Sequence, residues 1–178
     1  MEENIGMSYQ NFVKAMELAP RCEFYTTAGG KTKEEIEKAE EMLQVKFSKQ
    51  CMEFYEKYGY LSFYGNEIFS IDPDDDSGIL EGNSVAYALN DREEYHLPNE
   101  WIPIYDFEDG KMAYLDYSSL NSDKEPCVIM AFYNGTKYEV VETLAQDLGD
   151  FILQLVQEQL GEEWVISGCQ NAAVYLSL

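Results

Sequence analysis

NSVAYALNDREEYHLPNEWIPIYDFEDGKMAYLD, residues 83–116, decides how the rest of the chain is arranged. Its first third predicts a short helix, and Leu97-Pro98 a turn. Ile102 and Ile104 then alternate with the positions between them, the period of a half-buried strand. Asp109-Gly110 predicts a two-residue hairpin turn, because both central residues of that turn need positive φ. Residues 112–116 return as the partner strand.

Working outward, the half before this pair is rich in helix signals. Ser8 is placed to cap a helix over 8–19, with Phe12, Ala15, Met16 and Ala19 at helical spacing and Pro20 to end it. Ala28-Gly29-Gly30 is a loop. Thr32 and Glu35 form a capping box, in which hydroxyl and carboxylate each satisfy a free backbone N–H. Ile36, Ala39 and Leu43 then line one face of the second helix. Ser48 is expected to cap a third over 49–58, stopped by Gly59. Residues 60–64 and 67–71 pattern as strands joined at Gly65-Asn66.

Beyond the central pair, CVIMAFY at 127–133 is a nearly continuous apolar run, as expected of a strand covered on both faces. Asn134-Gly135 turns it back into 137–141, which makes six strands in all. Thr143-Leu144-Ala145-Gln146 reads as a second capping box. It opens the longest helix, with Leu148, Phe151, Ile152, Leu155 and Val156 on a 3.6-residue period. Gly149 should weaken that helix by roughly 1 kcal/mol against Ala; Gly161 stops it. The segment 162–178 carries Trp164, Val165, Val174 and Leu176. It is too apolar for a free tail and is expected to pack on the domain or, as a homo-oligomer contact, on a second subunit. No repeat or linker interrupts the 178 residues, which predicts one domain.

Charge is the strongest compositional signal. Thirty-four acids face 12 lysines and arginines, a net charge of −22, and no Lys or Arg follows Lys137. Such a chain repels nucleic acid and anionic membrane alike and favours a basic partner. Cys22, Cys51, Cys127 and Cys169 form no C-x-x-C pair, so no zinc site is expected. With an acidic start and no apolar leader, reduced thiols in a cytoplasmic protein are the expectation. Asp72, Asp74 and Asp76 match the first positions of a calcium loop. Ser77 and Asn83 stand where that loop needs Gly and Glu, so no metal and no cofactor is expected. The single histidine, His96, lies beside Leu97-Pro98, and no nucleophile, zinc or phosphate-loop motif is present. No enzymatic activity is expected.

The order of these motifs resembles the SUKH superfamily, which groups bacterial immunity proteins with yeast cell-wall assembly regulators. The family's I-x-x-x-E-x-x-L helix is matched by Ile36, Glu40 and Leu43. Its next helix is matched by Phe47-Ser48, Cys51, Phe54-Tyr55 and Tyr58-Gly59, with Ser48 replacing the usual Pro and Tyr58 the usual Asn. Gly65 through Ile71 resembles its G-x-x-I-x-G-I strand, with Ser70 in place of Gly. Arg92-Glu93, Leu97-Pro98, Ile102 with Ile104, Gly110 with Asp116, and Pro126-Cys127-Val128 follow in the family's order. The resemblance covers roughly 30–160. It implies an α+β fold, a mixed and mainly antiparallel sheet of about six strands packed by helices. It also implies a non-enzymatic immunity protein that binds and blocks a cognate toxin, often a nuclease. The alternative is an intracellular scaffold or regulator with endogenous partners.

Charge and resemblance agree, since a nuclease needs a basic phosphate groove to which an anionic inhibitor is complementary. The candidate toxin-facing carboxylates are Asp74, Asp75, Asp76, Glu93, Glu94, Asp106, Glu108 and Asp109, with Tyr95 and Tyr105 as aromatic anchors. Trp101 is a third aromatic nearby, better suited to the core. Arg92, isolated among acids, is expected to pair with a carboxylate, and Asp116 to cap the loop after its strand.

Overall fold

The structure, a computed structural model, describes residues 7–161; the apolar segment 162–178 discussed above and Cys169 lie outside them. The helices are α1 (Met7–Leu18), α2 (Lys33–Leu43), α3 (Lys49–Lys57), α4 (Ser84–Tyr95) and α5 (Leu148–Leu160). The strands are β1 (Thr26–Thr27), β2 (Leu61–Phe63), β3 (Asn66–Ile68), β4 (Trp101–Asp106), β5 (Met112–Leu120), β6 (Pro126–Tyr133) and β7 (Tyr138–Ala145). The fold is α+β, but the expected sheet of about six strands is instead two antiparallel sheets, β1-β2-β3 and β4-β5-β6-β7. The second hairpin strand stops at Ile68 rather than Ile71. Phe69 turns its ring onto Tyr87, nearly parallel at 5.5 Å, and its N–H makes one bond to the Ile104 carbonyl. One backbone bond bridges the sheets without continuing a ladder. The only parallel pairing among the described residues is the single bridge between Ser70 and Asn83.

The helix stripes are where the periodicity put them. Ile36, Ala39 and Leu43 are buried, as are Phe12, Ala15, Met16 and Ala19. Both halves of the Thr32–Glu35 capping box form. Two other caps differ. α5 starts at Leu148, not near Thr143, because residues up to Ala145 stay in the ladder with β6; Asp147 is its cap, accepting from the Asp150 N–H at 3.0 Å. Ser48 holds the cap position of α3 without a side-chain bond, and Glu125 from the β5–β6 loop accepts the Gln50 N–H instead, at 3.1 Å. Ser8 lies inside α1, not before it, and its hydroxyl donates to Asp147.

The turns are shifted as well. Tyr64-Gly65, with φ of 47° and 83°, makes the β2–β3 turn, and Asn66 is already paired with Phe63. The β4–β5 connection spans residues 107–111, closed by the Phe107 N–H on the Lys111 carbonyl. Its positive φ values fall on Glu108 and Gly110, not on Asp109. Ile102, Pro103 and Ile104 are all buried, so β4 does not alternate; a bulge follows Pro103, which has no N–H to give the ladder.

α1 lies against α5 so closely that a Cβ on Gly149 would stand 2.6 Å from Phe12 Cα. Gly59, at φ 68°, ends the α3 region, and a Cβ there would meet the Gly29 carbonyl at 2.2 Å. Arg92 pairs with no carboxylate among the described residues. Its guanidinium donates to the carbonyls of Leu43 (3.0 Å) and Asn99 (2.6 Å), tying α2 and the turn before β4 to α4. Asp116 accepts from the Ser118 N–H at 2.9 Å inside β5, at the bulge where pairing with β6 shifts, rather than after the strand.

Candidate partner-binding surface

The ten candidate residues fall into three local settings. Asp74, Asp75 and Asp76 belong to the loop leading to α4. The Asn83 side chain holds both ends of that loop: it accepts from the N–H groups of Asp72, Val85 and Ala86 and donates to the Asp72 carbonyl. Lysines from outside the loop meet its acids, Lys31 on Asp72 and Lys38 on Asp74. The Ser77 N–H and hydroxyl hold the Asp75 carboxyl below the ordinary carboxylate range. Glu35, Asp72, Pro73, Asp74 and Asp75 line an open cleft of about 310 Å³. Among the described residues no three His, Cys, Asp or Glu side chains converge as metal ligands.

Glu93, Glu94 and Tyr95 form the exposed last turn of α4, which ends on His96 in the left-handed conformation at φ 59°. Two carboxylates there face the negative end of the helix dipole, so the helix itself gains nothing from them. Tyr95 is 41% exposed and leans on Tyr133, ring centroids 5.1 Å apart. Trp101 is half-buried against Tyr114 and Tyr138.

Asp106, Glu108 and Asp109 shape the β4–β5 loop. Asp106 accepts from the Glu108 N–H at 2.7 Å, and Asp109 from the Lys111 N–H at 3.1 Å. The Lys111 ammonium also pairs with Asp109 and holds its carboxyl low. Tyr105 donates to Asn66 Oδ1 at 2.9 Å and sets its ring edge-on to Phe107 and Phe151. Burial first, then the charges of Glu158, Glu108, Asp106 and Glu67, push the Tyr105 hydroxyl above its usual range. Burial followed by Asp106, Glu81 and Asp91 does the same to Tyr87. Glu158, Glu108, Asp106 and Glu67 thus act on Tyr105, and Asp106, Glu81 and Asp91 on Tyr87. Glu67, Glu81 and Glu158 escaped the sequence reading because β3, the loop before α4 and the end of α5 are distant in the chain. Each is one acid among 34, with no local signal to single it out.

A family model described as SMI1-KNR4 cell-wall, SUKH_6, matches residues 33–152, about two thirds of the chain. The chain belongs to the SUKH family. No curated protein matches it. The SUKH match begins with α2 and ends within α5, so α1, which packs against α5, is added to the matched region.

Two carboxylates in this SUKH protein, Glu125 and Asp150, have raised pKa values beside a third, Asp147, an arrangement that also marks acid–base sites. Glu125 is 3% exposed and Asp147 fully buried. Burial pushes the carboxyls of Glu125 and Asp150 up, and the Asp147 charge adds to both. Their bonds, however, go to structure. Asp147 takes Ser8, the Asp150 N–H and Asn121; Gln50 donates to Ser8 at 2.7 Å and accepts from the Gly149 N–H at 2.8 Å; Asn11 donates to Asp150 at 2.7 Å. These carboxylates lock α1, α3, α5 and the β5–β6 loop together. Burial likewise raises the Cys51 thiol to about 12, which leaves no thiolate for nucleophilic chemistry at neutral pH. No helix among the described residues is long and apolar enough to cross a membrane.

Proposed function

We propose that this SUKH protein is a cytoplasmic immunity protein, a single non-catalytic domain that neutralises a cognate protein toxin by binding it. The expected target is a basic nuclease domain, and nucleic acid and membrane are not partners. The observation that carries the reading is the net charge of −22, together with the way its carboxylates are spent. The buried acids are bound into caps and networks. Glu93, Glu94, Asp106 and Glu108 meet no lysine or arginine in an ion pair among the described residues and are left to present a negative field. A cationic groove built for phosphates is the complementary surface, and steering between the two speeds capture.

The binding surface in this reading comprises Asp106, Glu108 and Tyr105 with Glu93, Glu94 and Tyr95. The acids at 74–76 and Asp109 contribute less in this reading, because Lys38 and Lys111 already offset Asp74 and Asp109. Co-expression with the toxin domain encoded beside this gene is the test: the host is expected to survive only when this protein is present. Equal killing with and without it overturns the reading. A chain that instead captures an endogenous partner and gives no protection supports the regulatory alternative.

A further inference from the structure

Phe24 and Tyr64 are the most out of place side chains in the described structure. Phe24 is 80% exposed and Tyr64 57%, and their rings lie stacked, centroids 6.5 Å apart and planes 23° from parallel. Pairing of β1 with β2 brings their loops together, and the Tyr64 N–H donates to the Glu23 carbonyl at 3.0 Å. Both residues have left-handed φ, 59° and 47°, where Gly or Asn fits more easily. Neither the core nor the local backbone gives a reason for an aromatic ring at either position.

Glu23, which is exposed, adjoins Phe24 and Glu67 follows Tyr64 by three residues, while Arg21, Lys31 and Lys57 bound the two segments, with Lys31 paired to Asp72 and Lys57 to Glu53. Two residues past Tyr64, Asn66 accepts from Tyr105, and the adjacent Glu67 acts on that tyrosine together with Glu108, Asp106 and Glu158. The turn that carries Tyr64 thus leads directly into the strand whose Asn66 holds Tyr105. Exposed aromatic rings bordered by carboxylates are what a guanidinium binds best: its face stacks on the ring while its N–H groups reach the carboxylates.

We propose that Phe24 and Tyr64 are the anchor of the docking surface for a cationic protein partner, receiving an arginine side chain on the exposed rings beside the carboxylates of Glu23 and Glu67. This rests on the toxin-binding reading and names the surface that carries it.

The test is calorimetric titration of the full chain with the catalytically inactivated toxin domain of the neighbouring gene. Phe24→Asn and Tyr64→Asn remove the rings and suit the left-handed backbone, so both variants should melt no lower than wild type. Each is expected to weaken binding tenfold or more, while Val140→Thr, at an exposed site on β7, leaves it unchanged. Affinities of both Asn variants within tenfold of wild type overturn this inference and leave the toxin reading intact. A wild-type protein that does not bind the toxin domain overturns both. Should the Asn variants turn a wild-type dimer into a monomer with toxin affinity unchanged, the pair serves a second copy of the chain and the inference also falls.

Discussion

Glu125 shows how one side chain serves a distant element. Ser48 stands where the cap of α3 belongs, yet a carboxylate from 75 residues further on takes the Gln50 N–H. Its second oxygen is buried without a partner among the described residues, and burial makes the carboxyl hold a proton more tightly than a free carboxylate. Glu125→Gln keeps the acceptor and removes the buried charge, so its unfolding free energy at pH 7 should equal or exceed that of wild type. Glu125→Ala loses the cap and should cost about 1–2 kcal/mol. Urea unfolding of the two variants checks the pair. An equal loss in both would mean that the charge, not the acceptor, holds the helix. At this scale the sequence was readable where partners lie close in the chain, as for Thr32 and Glu35. It was silent where the partner comes from elsewhere, as for Ser48, Arg92 and Ser8.

Between elements, the α1–α5 contact turns on Gly149. Helix propensity alone says that Gly149→Ala should stabilise α5 by roughly 1 kcal/mol. The structure reverses the sign: the new methyl would meet Phe12 backbone atoms at 2.6–2.7 Å, and backbone cannot swing aside as a side chain can. Gly149→Ala is expected to destabilise by about 1–3 kcal/mol, the usual range for overpacking, read as a lowered thermal midpoint. An unchanged or raised midpoint would show that α1 is not held at this distance. Helix stripes and the existence of each hairpin were legible, because both follow from local periodicity and turn chemistry. The exact turn residues were not. Asn66 and Asp109 look like turn formers in isolation, but strand pairing places the turn at Tyr64-Gly65 in one hairpin and widens it to five residues in the other.

For the molecule as a whole, acidity sets the response to pH and salt. Glu125 and Asp150 have raised pKa values in the fold. Between the ordinary carboxylate value and the raised one, the folded state binds more protons than the unfolded chain, so their contribution falls as pH rises through that window. Glu35, held low by Thr32, and Asp109, held low by Lys111, act oppositely: their contribution is present above the ordinary value and is lost as pH falls through the lowered one. Repulsion within a chain of net charge −22 also eases on mild acidification. The thermal midpoint is therefore expected to rise from pH 7.5 to about pH 5.5 and to fall in stronger acid. Added salt should flatten the part due to repulsion, since the Debye length shrinks from about 10 Å at 0.1 M to about 3 Å at 1 M. A midpoint that declines steadily from neutral pH would contradict this balance.

By itself the sequence determined the helix stripes, the Thr32 cap, the hairpin succession and the excess of negative charge, while the α+β class was what the family resemblance implied. The former depend on residues near one another in the chain or on simple sums. Only the tertiary structure decided that the strands divide into two sheets, that Asp147 and Glu125 are spent on caps, and that Tyr105 feels carboxylates from three separate segments. It alone set Phe24 beside Tyr64 in the open. Those outcomes depend on which distant groups meet and which remain in water, and a linear pattern holds no record of either.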